Sequence, residues 1–401
     1  MRSAGLASSR IGTITYDWYP FHARVRALAE AAADAGYCVD VICPRQPHES
    51  RCEVYNGVHV YRLPIHRRYD RSLPGTILSW CWFLLLAGLV VSWLHVKRPY
   101  QVIHVHNMPD FLIFAATLPK LLCAKLILDV QDASPELMAD KARGGLRRLV
   151  TRLATWQERL STIFADQVVT VGWTVEEVLL QRGVPREKLI SIFNSANPAY
   201  FPPARRAPPP SASAGDNRPF ILMYHGTVTE RQGLDIAIRA LALARQVAPE
   251  IRLHIKGSKE QLPALEGLAA QSGVLDQIVL SDICPIGEVA DFVLQGDVGI
   301  IPYRAGGYME LVLPVKAFEF AWMRRPMIAS DLRGIRSLFR PESLVLCDPT
   351  PESFAEAIID LYQHPEKRER LVANAAEDYE PYRWEMMAKR YQQVLAALSN
   401  P

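Results

Sequence analysis

The chain has 401 residues, 49% hydrophobic and 22% charged, with a formal net charge of +3. That length predicts two or three domains at about 150 residues each, and the apolar content excludes global disorder and fibrous repeats. A near-neutral total argues against a dedicated nucleic-acid binder.

The total hides an asymmetry. Residues 1–201 carry 23 Lys+Arg against 17 Asp+Glu, and residues 202–401 carry 22 against 25. A basic first half points to an anionic surface or ligand, a membrane among them. The seven cysteines (38, 43, 52, 81, 123, 284 and 347) form no C-x-x-C pair, so reduced thiols in a cytosolic chain are expected, not a zinc site or disulfide framework. Met1–Arg10 is too short and polar for a secretory apolar region.

Along the first half the predicted elements alternate. Strand Ile11–Tyr16, helix Ala23–Ala35 and strand Cys38–Cys43 precede a hairpin over Val54–Arg62 that turns on Asn56-Gly57. Between Arg71 and Lys97 lies an uncharged segment, residues 72–96, containing Trp80, Trp82 and Trp93. Its length suffices to cross a bilayer. Strand Gln101–His106, helix Phe111–Leu122, strand Lys125–Val130, helices Pro135–Lys141 and Leu146–Phe164, strand Gln167–Val171, helix Val175–Arg182 and strand Leu189–Phe193 follow.

Residues 202–219, rich in Pro, Ala and Ser, have the composition of a linker. A second β-α series runs over 220–380, and residues 381–401 form a final helix expected to pack back on the first domain. The expected fold class is α/β, with two doubly wound Rossmann-like domains (1–201 and 220–380) facing each other across a cleft. One sheet cannot form across a bilayer, so the apolar segment is not a span. It is a buried core helix or a helix sunk in the membrane interface; the flanking His66, Arg67, Arg68, Arg71, Lys97 and Arg98 favour the interface.

In doubly wound domains ligands collect at the carboxyl ends of strands. Those ends carry Tyr16–His22, His104–Asp110, Asp129–Glu136, His225–Gly233, Lys256–Lys259 and Tyr303–Glu310. No G-x-S-x-G, H-E-x-x-H, P-loop or G-x-G-x-x-G occurs among them.

The run Leu313-Pro314-Val315-Lys316-Ala317-Phe318-Glu319-Phe320-Ala321, followed by Arg325–Asp331, resembles the donor-binding signature of the retaining family 4 (group 1) glycosyltransferases. Ile103–Asn107 with Leu128–Val130, Val184-Pro185 with Phe193-Asn194, and Gly226 through Gly233-Leu234-Asp235 resemble the same family in the same order, over nearly the whole chain. The resemblance is greatest to bacterial enzymes of surface or exported polysaccharide biosynthesis. It implies the GT-B fold and metal-independent hexosyl transfer from a nucleotide-diphosphate sugar. No further cofactor and no metal site are expected.

The resemblance also assigns residues. Glu319 would accept hydrogen bonds from the ribose hydroxyls, with Gly226, Thr227, Val315 and Ile283 around the donor. Arg231 and Lys316 would neutralise the diphosphate beside the amino end of the helix opened by Pro314. Glu310 and Gln131 are the remaining catalytic candidates. His106, Arg24, Trp18 and His22 are acceptor-side candidates, whereas His104 is assigned to the opposite face of its strand.

Four positions, in three motifs, depart from the family pattern. The paired glutamate falls on Leu311, leaving Glu310 one residue out of step. The diphosphate-loop Arg and Lys fall on Thr227 and Gln232, and Gln131 stands where a His is common. The expected partners are a nucleotide sugar and a lipid-linked or polysaccharide acceptor, with no nucleic acid. The expected location is cytoplasmic, peripheral on the inner face of the membrane through residues 72–96. A non-catalytic scaffold subunit of the same fold, recruiting a partner glycosyltransferase, is the alternative that the departures motivate.

Overall fold

A computed structural model describes residues 9–65, 73–141, 146–203 and 218–399. The start of the N-terminal segment, the basic flank His66–Arg71 and most of the linker lie outside the described residues. The chain divides into two compact units, Met1–Phe193 with Glu385–Pro401, and Asn194–Trp384.

Unit 1 contains β1 (Arg10–Ile14), α1 (Ala23–Asp34), β2 (Cys38–Pro44), β3 (Cys52–Tyr55), β4 (Val58–Leu63), α2 (Leu73–Lys97), β5 (Val102–His106), α3 (Thr117–Leu121), β6 (Lys125–Val130), α4 (Ser134–Lys141), α5 (Leu146–Phe164), β7 (Gln167–Thr170), α6 (Trp173–Gln181) and β8 (Leu189–Ser191). The strand order is β3-β4-β2-β1-β5-β6-β7-β8, parallel except for the β3–β4 hairpin. Asn56 and Gly57 turn that hairpin with φ of 48° and 78°, the positive-φ pair that matches the twist of tightly joined strands. The central strands β2, β1, β5 and β6 are buried almost throughout, polar residues included, because helices cover both faces. The expected helix over Phe111–Leu122 forms as a 3-10 segment, Asp110–Ala116, that passes into α3.

The apolar segment is α2, and it lies on the sheet. Phe83, Ala87, Val91 and Leu94 are buried against β-strand residues such as Ile14 and Val105, each large side chain stabilising the unit by roughly 1.5–3 kcal/mol. β4 before it and β5 after it belong to one sheet, so this helix does not cross a bilayer. Its other side is apolar too: Leu78, Trp82, Leu85, Leu89, Trp93 and Val96 are exposed. Trp80 is half-buried with its ring against Phe111.

Unit 2 contains β9 (Phe220–His225), α7 (Leu234–Ala244), β10 (Ile251–Gly257), α8 (Leu262–Gln271), β11 (Ile278–Asp282), α9 (Ile286–Leu294), β12 (Val298–Ile301), α10 (Val315–Trp322), β13 (Met327–Ser330), α11 (Arg333–Arg336), β14 (Val345–Cys347), α12 (Pro351–Gln363) and α13 (Pro365–Tyr379). Its sheet runs β11-β10-β9-β12-β13-β14, with every paired neighbour parallel. The chain enters this unit at Asn194, ahead of the sequence boundary at residue 201, because Phe201 is buried here and its carbonyl accepts from Trp322 Nε1 at 2.8 Å. The last helix, α14 (Trp384–Ser399), belongs to unit 1 from Glu385 onward: Gln392 donates to the Ala31 carbonyl at 2.9 Å and Tyr391 meets His104.

Candidate functional site

Each unit gathers polar groups at the carboxyl ends of its central strands. In unit 1, His106 closes β5 and pairs in register with Asp129 of β6. Asp129 is wholly buried, and Arg24 on the first turn of α1 holds it with Nε and Nη2 at 2.8 and 2.7 Å. The third arm of Arg24 donates to the Ile192 carbonyl at 2.8 Å. Burial pushes the Asp129 carboxyl upward, but the charge and hydrogen bonds of Arg24, with the His106 bond, overcome it and hold Asp129 well below the usual range.

Asp129 also fixes His106, whose Nδ1 lies 2.7 Å from Oδ2. With that nitrogen committed, Nε2 of His106 is buried without a hydrogen-bond partner among the described residues. This carboxylate–imidazole arrangement orients the ring and leaves one nitrogen to meet a ligand hydroxyl. Gln131 joins the cluster, donating from Nε2 to Asp129 Oδ2 at 3.3 Å, while its backbone N–H donates to Asn107 at 2.8 Å.

His104 is not on the opposite face of β5. Residues two apart on a strand share a face, and its ring stacks on His106 with centroids 4.3 Å apart. Its Nδ1 is 2.9 Å from the Tyr391 hydroxyl. Burial and then His106 push its pKa well down, so this imidazole stays neutral beside its neighbour.

His104, His106 and Asp129 bring potential metal-ligand atoms within 4.8 Å of one another. Both Asp129 oxygens, however, already face the Arg24 guanidinium, whose charge opposes a cation there.

His22 caps α1: its Nδ1 accepts from the Val25 N–H at 3.4 Å. Burial first, then His106 and Arg24, push its pKa down to about 4. The cap fixes the turn that carries Arg24. Trp18 is half-buried in the loop after β1, and Phe21 beside it is exposed.

In unit 2 the cluster forms where α10 begins. Lys316 and Glu319, three residues apart on that helix, are both buried. The Lys316 ammonium donates to the Tyr303 hydroxyl at 3.0 Å and lies 3.9 Å from the centre of the Tyr224 ring. Glu319 Oε2 is 3.2 Å from His225 Nε2. Burial dominates both ionisations, pulling Lys316 down to about 7 and pushing Glu319 up to about 7; each is partly offset by the other's charge.

The loop after β9 closes over this cluster. Gly226 has φ of 114°, and a side chain there would come within 3.6 Å of the Lys316 ammonium. At Gly233, φ is 62° and a Cβ would lie 1.9 Å from the Pro302 carbonyl oxygen, so only glycine fits. Between them, Arg231 passes 5.5 Å from the Tyr308 ring centre, and its Nη1 is buried with no acceptor among the described residues. A buried cationic donor without an acceptor is the feature an anionic ligand would complete.

The other donor-side candidates take varied positions. Val315 opens α10 and is partly exposed, while Thr227 is exposed and its carbonyl accepts from Tyr224 at 2.5 Å. Ile283 is exposed, and its backbone N–H donates to Asp282 at 2.8 Å. Glu310 is engaged elsewhere: its two oxygens accept from the Gly306 and Arg333 backbone N–H groups at 3.0 and 3.1 Å. It braces the 303–312 loop.

Asp129, Tyr224, His225 and Tyr303 complete these clusters and were not singled out as site residues from sequence. The pairing of His106 with Asp129 across neighbouring strand ends was the available signal for the first of them.

Comparison with known proteins identifies relatives of both units. The family described as Glycosyl transferase 4-like domain matches residues 22–194, and the family Glycosyl transferases group 1 matches residues 210–378. The phosphatidyl-myo-inositol mannosyltransferase of Mycobacterium leprae is 28% identical over 384 residues, 94% of this chain and 92% of that protein. The D-inositol 3-phosphate glycosyltransferase of Thermomonospora curvata is 26% identical over 186 residues, 44% of this chain, and the match spans only 42% of that protein's length. In fold, the chain is similar to the sucrose-phosphate synthase of Thermosynechococcus elongatus, with a TM-score of 0.75 and 19% identity over 97% of this chain and 100% of that one.

Proposed function

The chain belongs to the 4-like and group 1 glycosyltransferases of the GT-B fold, and from that premise we propose that it transfers a hexose from a nucleotide-diphosphate sugar to a lipid-linked acceptor with retention of configuration. The observation that carries the donor half is the buried trio on unit 2: Lys316 and Glu319 on α10, with the unpartnered Nη1 of Arg231. Two cationic donors suit a diphosphate, and a carboxylate suits the vicinal hydroxyls of a ribose. The amino end of α10 adds its dipole for the same anion.

Unit 1 supplies the acceptor half. His106, oriented by Asp129, presents Nε2 to an acceptor hydroxyl, and Gln131 adds an amide to the same cluster. In front-face retention the departing phosphate oxygen takes the acceptor proton as the glycosidic bond to phosphate breaks and the new one forms on the same face. Arg231 and Lys316 offset the charge that develops on the leaving diphosphate. No protein nucleophile or metal is needed in this scheme, which reads Glu310 as a loop brace.

A lipid-linked acceptor is favoured over free polysaccharide by the outward apolar side of α2, with Trp82, Trp93 and Leu89 exposed and Lys97 stacked 3.6 Å from the Trp93 ring centre. A helix apolar on both sides fits peripheral attachment at a membrane interface. Similarity to a phosphatidyl-myo-inositol mannosyltransferase supports an acceptor of that class. The test is product analysis with the purified chain, a panel of nucleotide sugars and extracted membrane lipids. A new glycolipid with the donor's anomeric configuration, formed in the presence of EDTA, supports the proposal. Inversion, or strict dependence on added metal, would remove the corresponding part.

A further inference from the structure

α5 is built inside out. Its described side chains that turn inward and become buried are Glu158, Ser161 and Thr162, whereas Leu149, Leu153, Trp156, Leu160 and Ile163 are exposed. Their spacing of four, three, four and three residues lines one face of the helix. Such a stripe on a surface otherwise built of charge marks a contact site. Inward, Glu158 is held by Arg182 with both oxygens at 2.8 Å, which accounts for the polar buried side and fixes the helix in this orientation.

Beside the apolar stripe runs a basic one. Arg147, Arg148, Arg152 and Arg159, with Trp156, line an open groove of about 690 Å3 between α4 and α5. Among the described residues none of these four guanidinium groups has a carboxylate within ion-pair distance. The 3-10 segment 110–116 packs between α5 and α2: Phe111 meets Trp80 of α2, and Phe114 meets Phe164 of α5. The two helices with outward apolar faces therefore neighbour one another on one side of the sheet, with exposed Leu118, Leu121 and Leu122 of α3 near them.

We propose that the outward face of α5 is a second membrane-contact surface that docks on a bilayer rich in anionic phospholipid head groups, its Leu and Trp side chains entering the interface and its arginines pairing with the phosphates. The inference rests on the lipid-surface part of the proposed function and deepens it: α2 supplies apolar anchoring, and α5 supplies preference for anionic lipid. Charge complementarity selects the occupant. A second copy of the chain would bring the same arginines face to face, a like-charge contact that opposes a symmetric dimer.

Flotation of the full chain with vesicles of phosphatidylcholine alone, and of phosphatidylcholine with an equal part of phosphatidylglycerol, tests this. Wild type is expected to prefer the anionic vesicles. The triple variant Arg148→Gln, Arg152→Gln and Arg159→Gln is expected to lose about a hundredfold in affinity for them, on the scale of about 1 kcal/mol for each basic residue near such a surface. The double variant Leu153→Ser and Trp156→Ser is expected to weaken binding to both vesicles, and Trp82→Ser with Trp93→Ser to weaken both while keeping the anionic preference. Glu319→Ala should bind as wild type, which separates lipid docking from transfer. An unchanged anionic preference in the triple variant overturns the proposal, even if wild type floats through α2. Absence of flotation in wild type, or a concentration-dependent dimer abolished by Trp156→Ser, overturns it as well.

Discussion

Arg24 grips Asp129 through two N–H···O bonds, one to each carboxylate oxygen, of 2.8 and 2.7 Å, both partners buried. The pair sits beneath His106 and sets the one imidazole nitrogen left for a ligand. Removing Arg24 strands a buried carboxylate, a loss of about 3–5 kcal/mol. Arg24→Met should therefore lower the unfolding temperature sharply, as followed by circular dichroism. Adding Asp129→Leu should restore most of that stability but not transfer. Full activity in the stable double variant would show that the cluster only supports the fold.

The Asp129 shift also has a pH signature. Its folded pKa lies below its unfolded one, so its contribution is present above the unfolded carboxylate range and is lost as pH falls through the folded value. Acid unfolding should begin at higher pH in Arg24→Met than in wild type. Urea titrations across the acid range read this directly.

Lys316 and Glu319 impose a different pH dependence, on ligand binding. In the proposed donor site Lys316 would have to be protonated to hold a diphosphate and Glu319 ionised to accept from a ribose, yet burial brings both to about 7 in the free protein. Affinity for a nucleoside diphosphate should fall on both sides of neutrality, the alkaline limb from Lys316 and the acid limb from Glu319, as two titrations of one coupled pair. Calorimetry across buffers should show the bell. A flat profile would remove the pair from the donor site.

Arg231 and Glu310 separate donor binding from loop bracing. Arg231→Gln should weaken nucleoside-diphosphate binding by about 10–100-fold, the range for a hydrogen bond to a charged group, with little change in thermal stability. Glu310→Gln keeps one acceptor for the backbone amides of Gly306 and Arg333, and should change affinity by less than about threefold, within the range of a surface substitution. Equal losses in the two variants would return Glu310 to the donor contacts.

Gly233→Ala should be more damaging than either. The added methyl meets the Pro302 carbonyl in a left-handed conformation, so the loop carrying Arg231 must shift. Both nucleotide affinity and unfolding temperature should drop; an unchanged unfolding temperature would contradict the packing.

Much of this was legible in the sequence because each signal was local. Asn56-Gly57 specified its hairpin, the apolar runs specified parallel strands, and the Leu313–Ala321 motif located α10 with Lys316 and Glu319. Most of what was not legible depended on long-range packing. Glu310 is engaged by Arg333, distant in sequence and close in space. His104 was assigned to the wrong face although strand periodicity already placed it with His106. The outward stripe of α5 reads as an ordinary amphipathic helix until Glu158 is seen pointing inward to Arg182. A helical pattern gives the two faces but not which of them meets the core.

We propose that the donor groups on unit 2 drive glycosyl transfer. It is tested most directly by nucleoside diphosphate release from nucleotide sugars, with membrane lipid extract, by wild type and by Glu319→Ala at matched folding. Expected are glycolipid and nucleoside diphosphate in equal amounts from wild type with one or more donors, and a loss of about 10–100-fold in the variant, the scale of a lost hydrogen bond to a charged group. Turnover by Glu319→Ala equal to wild type, or a wild type that turns over no nucleotide sugar while a partner enzyme does so only in its presence, would contradict it.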